Sequence, residues 1–278
     1  MIQRTKPSEK TVDRRGLGVL LLALIAGLAL AATVSWRTNP LPEKAADYAR
    51  QVATASAGIY VSLRTVNAFL SAAQEVEVGG SLVVSGTVQP LKTLEPIDDT
   101  IERIASLVFT TMVFTGLLAV AMGPVSAVGA ALIFGALTLW IADRLIGRKD
   151  LIVVMARRLS WYGAFLAIAL PGAFLLSSLV ADSLTQQVWA ENNVIIQEIT
   201  APIDLEDADA TSGLWQVVET ADDYRELAKN IYERADALIG SYIAILAVFL
   251  FKIMVLPLLL TGAFFIAARF FAGQDTSR

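Results

Sequence analysis

Apolar residues gather in five blocks along the chain, over 16–36, 104–122, 125–141, 159–181 and 238–268. A helix needs about 20 mostly apolar residues to cross the roughly 30 Å hydrocarbon layer, and only a helix satisfies its own backbone within one such segment. Each block approaches or exceeds that length, so each reads as helical. The expected fold is all-α: a polytopic transmembrane helix protein with extracytoplasmic amphipathic helices and one short β-hairpin.

The segments between the blocks follow other patterns. Asn39-Pro40-Leu41-Pro42 ends the first helix. Tyr48, Val52, Ala55, Ile59, Val66 and Phe69 then recur at helical spacings, which predicts a helix over 43–73 with one apolar stripe. That stripe needs a cover, and the chain's own outer helices are preferred over a neighbouring subunit. Over 74–88 the pattern changes. Glu75-Val76-Glu77-Val78 alternates, Gly79-Gly80 can turn the chain, and Ser81 to Val84 is rich in β-branched residues, which predicts the hairpin. Asp98, Asp99 and Glu102 suit the start of the next helix, where the dipole favours negative charge.

Charge orients these pieces. Arg4, Lys6, Lys10, Arg14 and Arg15 precede the first block and hold the N-terminus in the cytoplasm. Ala29-Leu30-Ala31 resembles a signal-peptidase site, but the apolar run is longer than a usual signal core, and a retained anchor is preferred. Five crossings would put Arg144, Arg148, Lys149, Arg157 and Arg158 outside and the acidic segment 182–237 inside, against the charge bias. Four crossings remove the conflict. The block 104–122 is the expected non-spanning piece, because Gly123-Pro124 should break the helix directly after it and Thr110, Thr111 and Thr115 make it less uniformly apolar. The resulting divisions are 1–36, 37–103, 104–181, 182–237 and 238–278.

Composition narrows the chemistry. There is no cysteine and no histidine, which removes disulfides, the commonest zinc ligands and every Ser-His or Cys-His nucleophile pair. No phosphate-binding glycine loop or metal-ligand spacing occurs, so no enzyme, cofactor or metal is expected. The formal charge of -4 has no basic patch within it, which argues against nucleic acid. The segment 182–237 holds 13 acids against Arg225, Lys229 and Arg234. Its run from Asp204 to Asp209 lacks the glycine and final glutamate of an EF-hand loop and reads as a solvated loop.

One intramembrane charge stands out. Lys252 lies inside the fifth block, where a lysine at a helix centre costs about 2.5 to 3.5 kcal/mol and usually faces a bundle interior or a watery cavity. Pro257 should free the carbonyl of Ile253 and kink the helix nearby. Lys252 and Pro257 are the expected intramembrane functional residues. No acid lies inside another block to pair with the lysine, and its bland role is to snorkel towards the headgroups.

The runs Leu94-Glu95-Pro96-Ile97-Asp98-Asp99-Thr100-Ile101-Glu102-Arg103 and Val255-Leu256-Pro257-Leu258-Leu259 resemble segments of a group of bacterial inner-membrane proteins without an assigned activity. The resemblance covers about a tenth of the chain. It implies the bacterial inner membrane as location and carries over no functional residue. Two functions are expected. The first is a non-enzymatic, pore-like membrane protein that works by assembly, with the lipid bilayer and a homo-oligomer as partners. The alternative is a transporter with a midplane site near Lys252 and the helix break expected at Gly123-Pro124, since interrupted helices are where such sites are often built.

Overall fold

A computed structural model describes residues 14–80, 94–146, 150–201 and 221–273. Eight α-helices account for nearly all of these. They are α1 (Arg14–Val34), α2 (Pro40–Gly80), α3 (Glu95–Ile146), α4 (Asp150–Ala164), α5 (Leu170–Thr200), α6 (Ala221–Glu233), α7 (Ala235–Leu250) and α8 (Leu256–Gly273). Two wider π turns, Phe165–Ala169 and Phe251–Val255, join α4 to α5 and α7 to α8 without interrupting either rod. Among the described residues, four helical rods are long and apolar enough to cross a membrane: Gly16–Val34, Glu95–Ile146, Asp150–Thr200 and Ala235–Ile266. The protein is a multi-pass α-helical membrane protein.

Local sequence explains the joint between α1 and α2. After a short 3₁₀ turn at Trp36–Thr38, the Asn39 side chain accepts the Leu41 amide at 3.2 Å, and Pro40 occupies the first helical position, where its missing N–H costs nothing.

Two expectations change here. The β-hairpin is not formed: among the described residues there is no strand, and 74–80 continue α2 to Gly80. The alternation over Glu75 to Val78 is only four residues long, and a lone hairpin is marginal in water, whereas a helix already 35 residues long gains a hydrogen bond with each further residue. The rest of the expected hairpin, 81–88, lies outside the described residues, as do Arg148, Lys149 and the acidic run 204–209. The second correction concerns Gly123-Pro124. Instead of breaking the chain, it sits within the single 52-residue helix α3, which fuses the second and third blocks into one rod about 78 Å long at 1.5 Å per residue. Proline is tolerated inside membrane helices where the surroundings accommodate the freed backbone. Gly123 serves close contact instead, since a Cβ there would lie 2.8 Å from the Trp36 ring.

The chain divides into two compact units. One comprises Met1–Lys44 and Ala121–Gly172, the other Ala45–Val120 and Ala173–Arg278. In the first unit two helices approach closely at Gly129 and Gly163. A Cβ on Gly129 would lie 2.5 Å from the Ala167 nitrogen, and one on Gly163 would lie 2.7 Å from the Gly129 carbonyl oxygen. Such contact between backbones needs two residues without side chains, the usual device for apposing helices in lipid, where apolar side chains gain little by leaving the hydrocarbon.

The second unit has the deeper core. Tyr48, Val52, Ile59, Val66 and Phe69 of the α2 stripe are all buried, together with Ile101 and Val108 of α3, Ile199 of α5 and Leu238 and Ile245 of α7. The chain's own helices therefore cover the stripe. Within this core the Ser62 and Tyr242 hydroxyls share a 2.7 Å hydrogen bond, as an apolar surrounding requires. Arg234, between α6 and α7, bridges to Glu198 of α5 at 3.0 Å.

Candidate functional site

The second unit holds a cleft of about 460 Å³, and three helices present periodic faces to it. From α2 come Tyr48, Gln51, Val52 and Ala55, spaced i, i+3, i+4 and i+7. From α5 come Asp182, Gln186 and Trp189, spaced i, i+4 and i+7, and Phe249 and Lys252 reach it from α7 and the π turn that follows. The Trp189 and Phe249 rings stand 5.3 Å apart at 57°, a tilted aromatic contact that closes one wall.

Lys252 has a partner that sequence reasoning missed. Its ammonium donates to the Asp182 carboxylate at 2.7 Å; the lysine side chain is 19% exposed and the aspartate 68%. Asp182 immediately follows the block 159–181, so an inspection confined to the blocks passes over it. The two residues are 70 positions apart, and no local spacing relates them. The usable signal was that Asp182 is the first charged residue after 23 uncharged ones within a helix that shows no sign of ending there.

The backbone under Lys252 is also unusual. In the π turn the Leu256 amide bonds to the Phe251 carbonyl, five residues back instead of four. Continuing in that register, residue 257 would bond to the Lys252 carbonyl, but Pro257 has no N–H to give. The Tyr48 hydroxyl donates to that carbonyl oxygen at 3.2 Å. Lys252 and Pro257 are thus joined in one arrangement, through the Lys252 carbonyl in place of the Ile253 carbonyl expected from an ordinary α-helix.

Tyr48 lies outside the membrane-spanning rods. Burial, and then the negative charge of Asp182, push its phenol well above the ordinary range, so it remains a donor throughout the neutral range. Among the described residues, no group of three or more Asp or Glu side chains is placed to hold a metal ion. What the site offers is one cation, one anion, two amide side chains and an aromatic wall. Such groups can pair with charged and hydrogen-bonding atoms.

No family model matches the chain, and it matches neither a curated protein nor a solved structure.

Proposed function

We propose that the protein is a non-enzymatic transporter of the bacterial inner membrane that binds a small charged solute at the Lys252–Asp182 cleft. The observation that carries this reading is the 2.7 Å ion pair lining a cleft of about 460 Å³, beside the hydrogen-bonding groups of Gln51 and Gln186. An anionic solute can take the place of the Asp182 carboxylate on Lys252, because the displaced carboxylate is exposed and stays solvated while the more buried ammonium keeps a partner. Two features on which the assembly reading drew are otherwise accounted for: the α2 stripe is covered within the chain and the hairpin is not formed.

In this reading α1 runs outward, α3 inward, the rod Asp150–Thr200 outward and the rod Ala235–Ile266 inward. The N-terminus and the linker with Arg148 and Lys149 are then cytoplasmic and the acidic segment is outside, in keeping with the positive-inside rule and with no re-entrant piece. Counted along the helices, Asp182 is about 36 Å from Arg158 and Lys252 about 25 Å from Arg269, at 1.5 Å per residue. These lengths bracket one hydrocarbon thickness, so the cleft belongs at the outer edge of the bilayer, where a solute from outside can reach it.

The test is a panel of amino acids, carboxylates and organic amines screened for thermal stabilisation of the purified protein, followed by uptake in proteoliposomes. One class should stabilise the wild type, with binding at least about tenfold weaker in Lys252→Met, a loss of about 1.4 kcal/mol or more. A panel that leaves the wild type unmoved, or moves the two alike, defeats the proposal. Reporters fused after Arg148, after Asp207 and at the C-terminus should report inside, outside and inside.

A further inference from the structure

A second cavity, of about 570 Å³, lies within the first unit. Its walls are built from two helical faces and one side chain of α1. The end of α3 supplies Trp140, Asp143 and Arg144, spaced i, i+3 and i+4. The start of α4 supplies Asp150, Val153, Val154 and Arg157, spaced i, i+3, i+4 and i+7, and Leu22 completes the wall. The cavity sits where two apolar blocks meet their basic flanks, since 125–141 ends just before Arg144 and 159–181 begins just after Arg157 and Arg158. Trp140 is the residue type that settles at the headgroup level.

The charged groups here differ from ordinary paired surface residues. Among the described residues, Arg144, Asp150 and Arg157 make no ion pair and no side-chain hydrogen bond, while Asp143 is buried and already engaged. Two guanidiniums on one cavity are matched to a phosphate, whose oxygens accept the planar fork in pairs. Leu22, Val153 and Val154 add an apolar wall that a free phosphate would not use but an acyl chain would. An occupant that carries both a phosphate and an amine meets all three of these unpaired groups, the phosphate on the two arginines and the amine on Asp150, whereas a phosphate alone leaves Asp150 unmatched.

The geometry points to this cavity as a binding site for a zwitterionic aminophospholipid. Its phosphodiester lies between Arg144 and Arg157, its ammonium on the Asp150 carboxylate and its acyl chain against Leu22, Val153 and Val154. The site is independent of the Lys252 cleft and stands or falls apart from it.

The test uses delipidated full-length protein in detergent, with phosphatidylethanolamine, phosphatidylglycerol or inorganic phosphate added back and binding read by native mass spectrometry. The wild type should retain phosphatidylethanolamine in preference to phosphatidylglycerol, and millimolar inorganic phosphate should not displace it. Arg157→Gln and Arg144→Gln should each bind it at least tenfold more weakly, and Asp150→Asn should lose the preference between the two lipids. Arg157→Lys keeps the charge without the fork; a loss of a few-fold only, with an unchanged elution profile, keeps the test valid if the glutamine variant fails to fold. Equal binding by Arg157→Gln, a wild-type preference for phosphatidylglycerol, or full displacement by inorganic phosphate would each overturn the assignment.

Discussion

The π turn at Phe165–Ala169 and the π turn at Phe251–Val255 share one backbone design and differ in what surrounds it. In each, the amide of the following leucine bonds five residues back, from Leu170 to the Phe165 carbonyl and from Leu256 to the Phe251 carbonyl, and a proline comes next. Each also receives a hydroxyl from another helix, in the second turn at the carbonyl that Pro257 leaves free and in the first one position further along. Ser126 donates to the Ala167 carbonyl at 3.4 Å, and Tyr48 to the Lys252 carbonyl at 3.2 Å. The first turn is otherwise apolar and lies beside the backbone contact of Gly129 with Gly163. The second carries a lysine, its aspartate partner and a cleft. The same break in the helical ladder is thus closed by tight packing in one unit and left open, with polar groups around it, in the other. Binding chemistry belongs where packing does not consume the space.

The comparison breaks most readily at the packed turn. Gly163→Val or Gly129→Val puts side-chain atoms where backbone already lies, and should destabilise the fold by about 3 kcal/mol, the upper end for overpacking. Reversible unfolding in mixed micelles measures this, and a near-native midpoint would show the contact to be loose. At the open turn, the comparable changes should cost less. Asp182→Leu should destabilise by about 1 to 2 kcal/mol by leaving the Lys252 ammonium without its partner. Lys252→Met should cost less, because the exposed carboxylate left behind remains solvated; the coupling in the double variant should be near 1 kcal/mol. A coupling of zero would mean that the pair is incidental.

The two hydroxyls give a finer contrast. Tyr48→Phe removes a hydrogen bond to an otherwise unserved carbonyl and should cost about 1 kcal/mol, while Ser126→Ala, losing a longer bond, should cost no more than about half of that. Equal costs would make the two turns equivalent. The smallest expected effect is pH-dependent. The Tyr48 phenol is raised in the folded state, so the folded chain holds its proton above the ordinary tyrosine range near 10, where the unfolded chain releases it. The stabilisation is therefore complete below pH 10 and falls as pH rises beyond it. Tyr48→Phe should unfold with a visibly shallower alkaline slope between about pH 10 and 11.5 than the wild type.

Much of the membrane character was legible in the residues, and some of the site. Block length located three of the four rods and split the fourth into two pieces, and the isolated charge of Lys252 singled out a residue that lines the cleft. The two turns also left a mark that was not read: Phe165 and Phe251 are each followed, after four residues, by Leu-Pro. Gly123-Pro124 misled because a glycine followed by a proline is a turn signal in water, whereas here the glycine accommodates the Trp36 ring and the helix runs on. The alternation before Gly79-Gly80 misled because four residues of period two are too few to outweigh the helix that leads into them.

By itself, the sequence determined that the chain is helical, that it crosses a membrane several times and that Lys252 needs a reason, because hydrocarbon imposes length, backbone closure and charge cost on any segment within it. Only the tertiary structure decided that the fused α3 makes one rod, that Asp182 meets Lys252, and that Tyr48 serves the carbonyl Pro257 cannot. Those contacts join residues 70 and 204 positions apart. No period along a chain encodes which helix face lies opposite which; that follows from how whole rods pack.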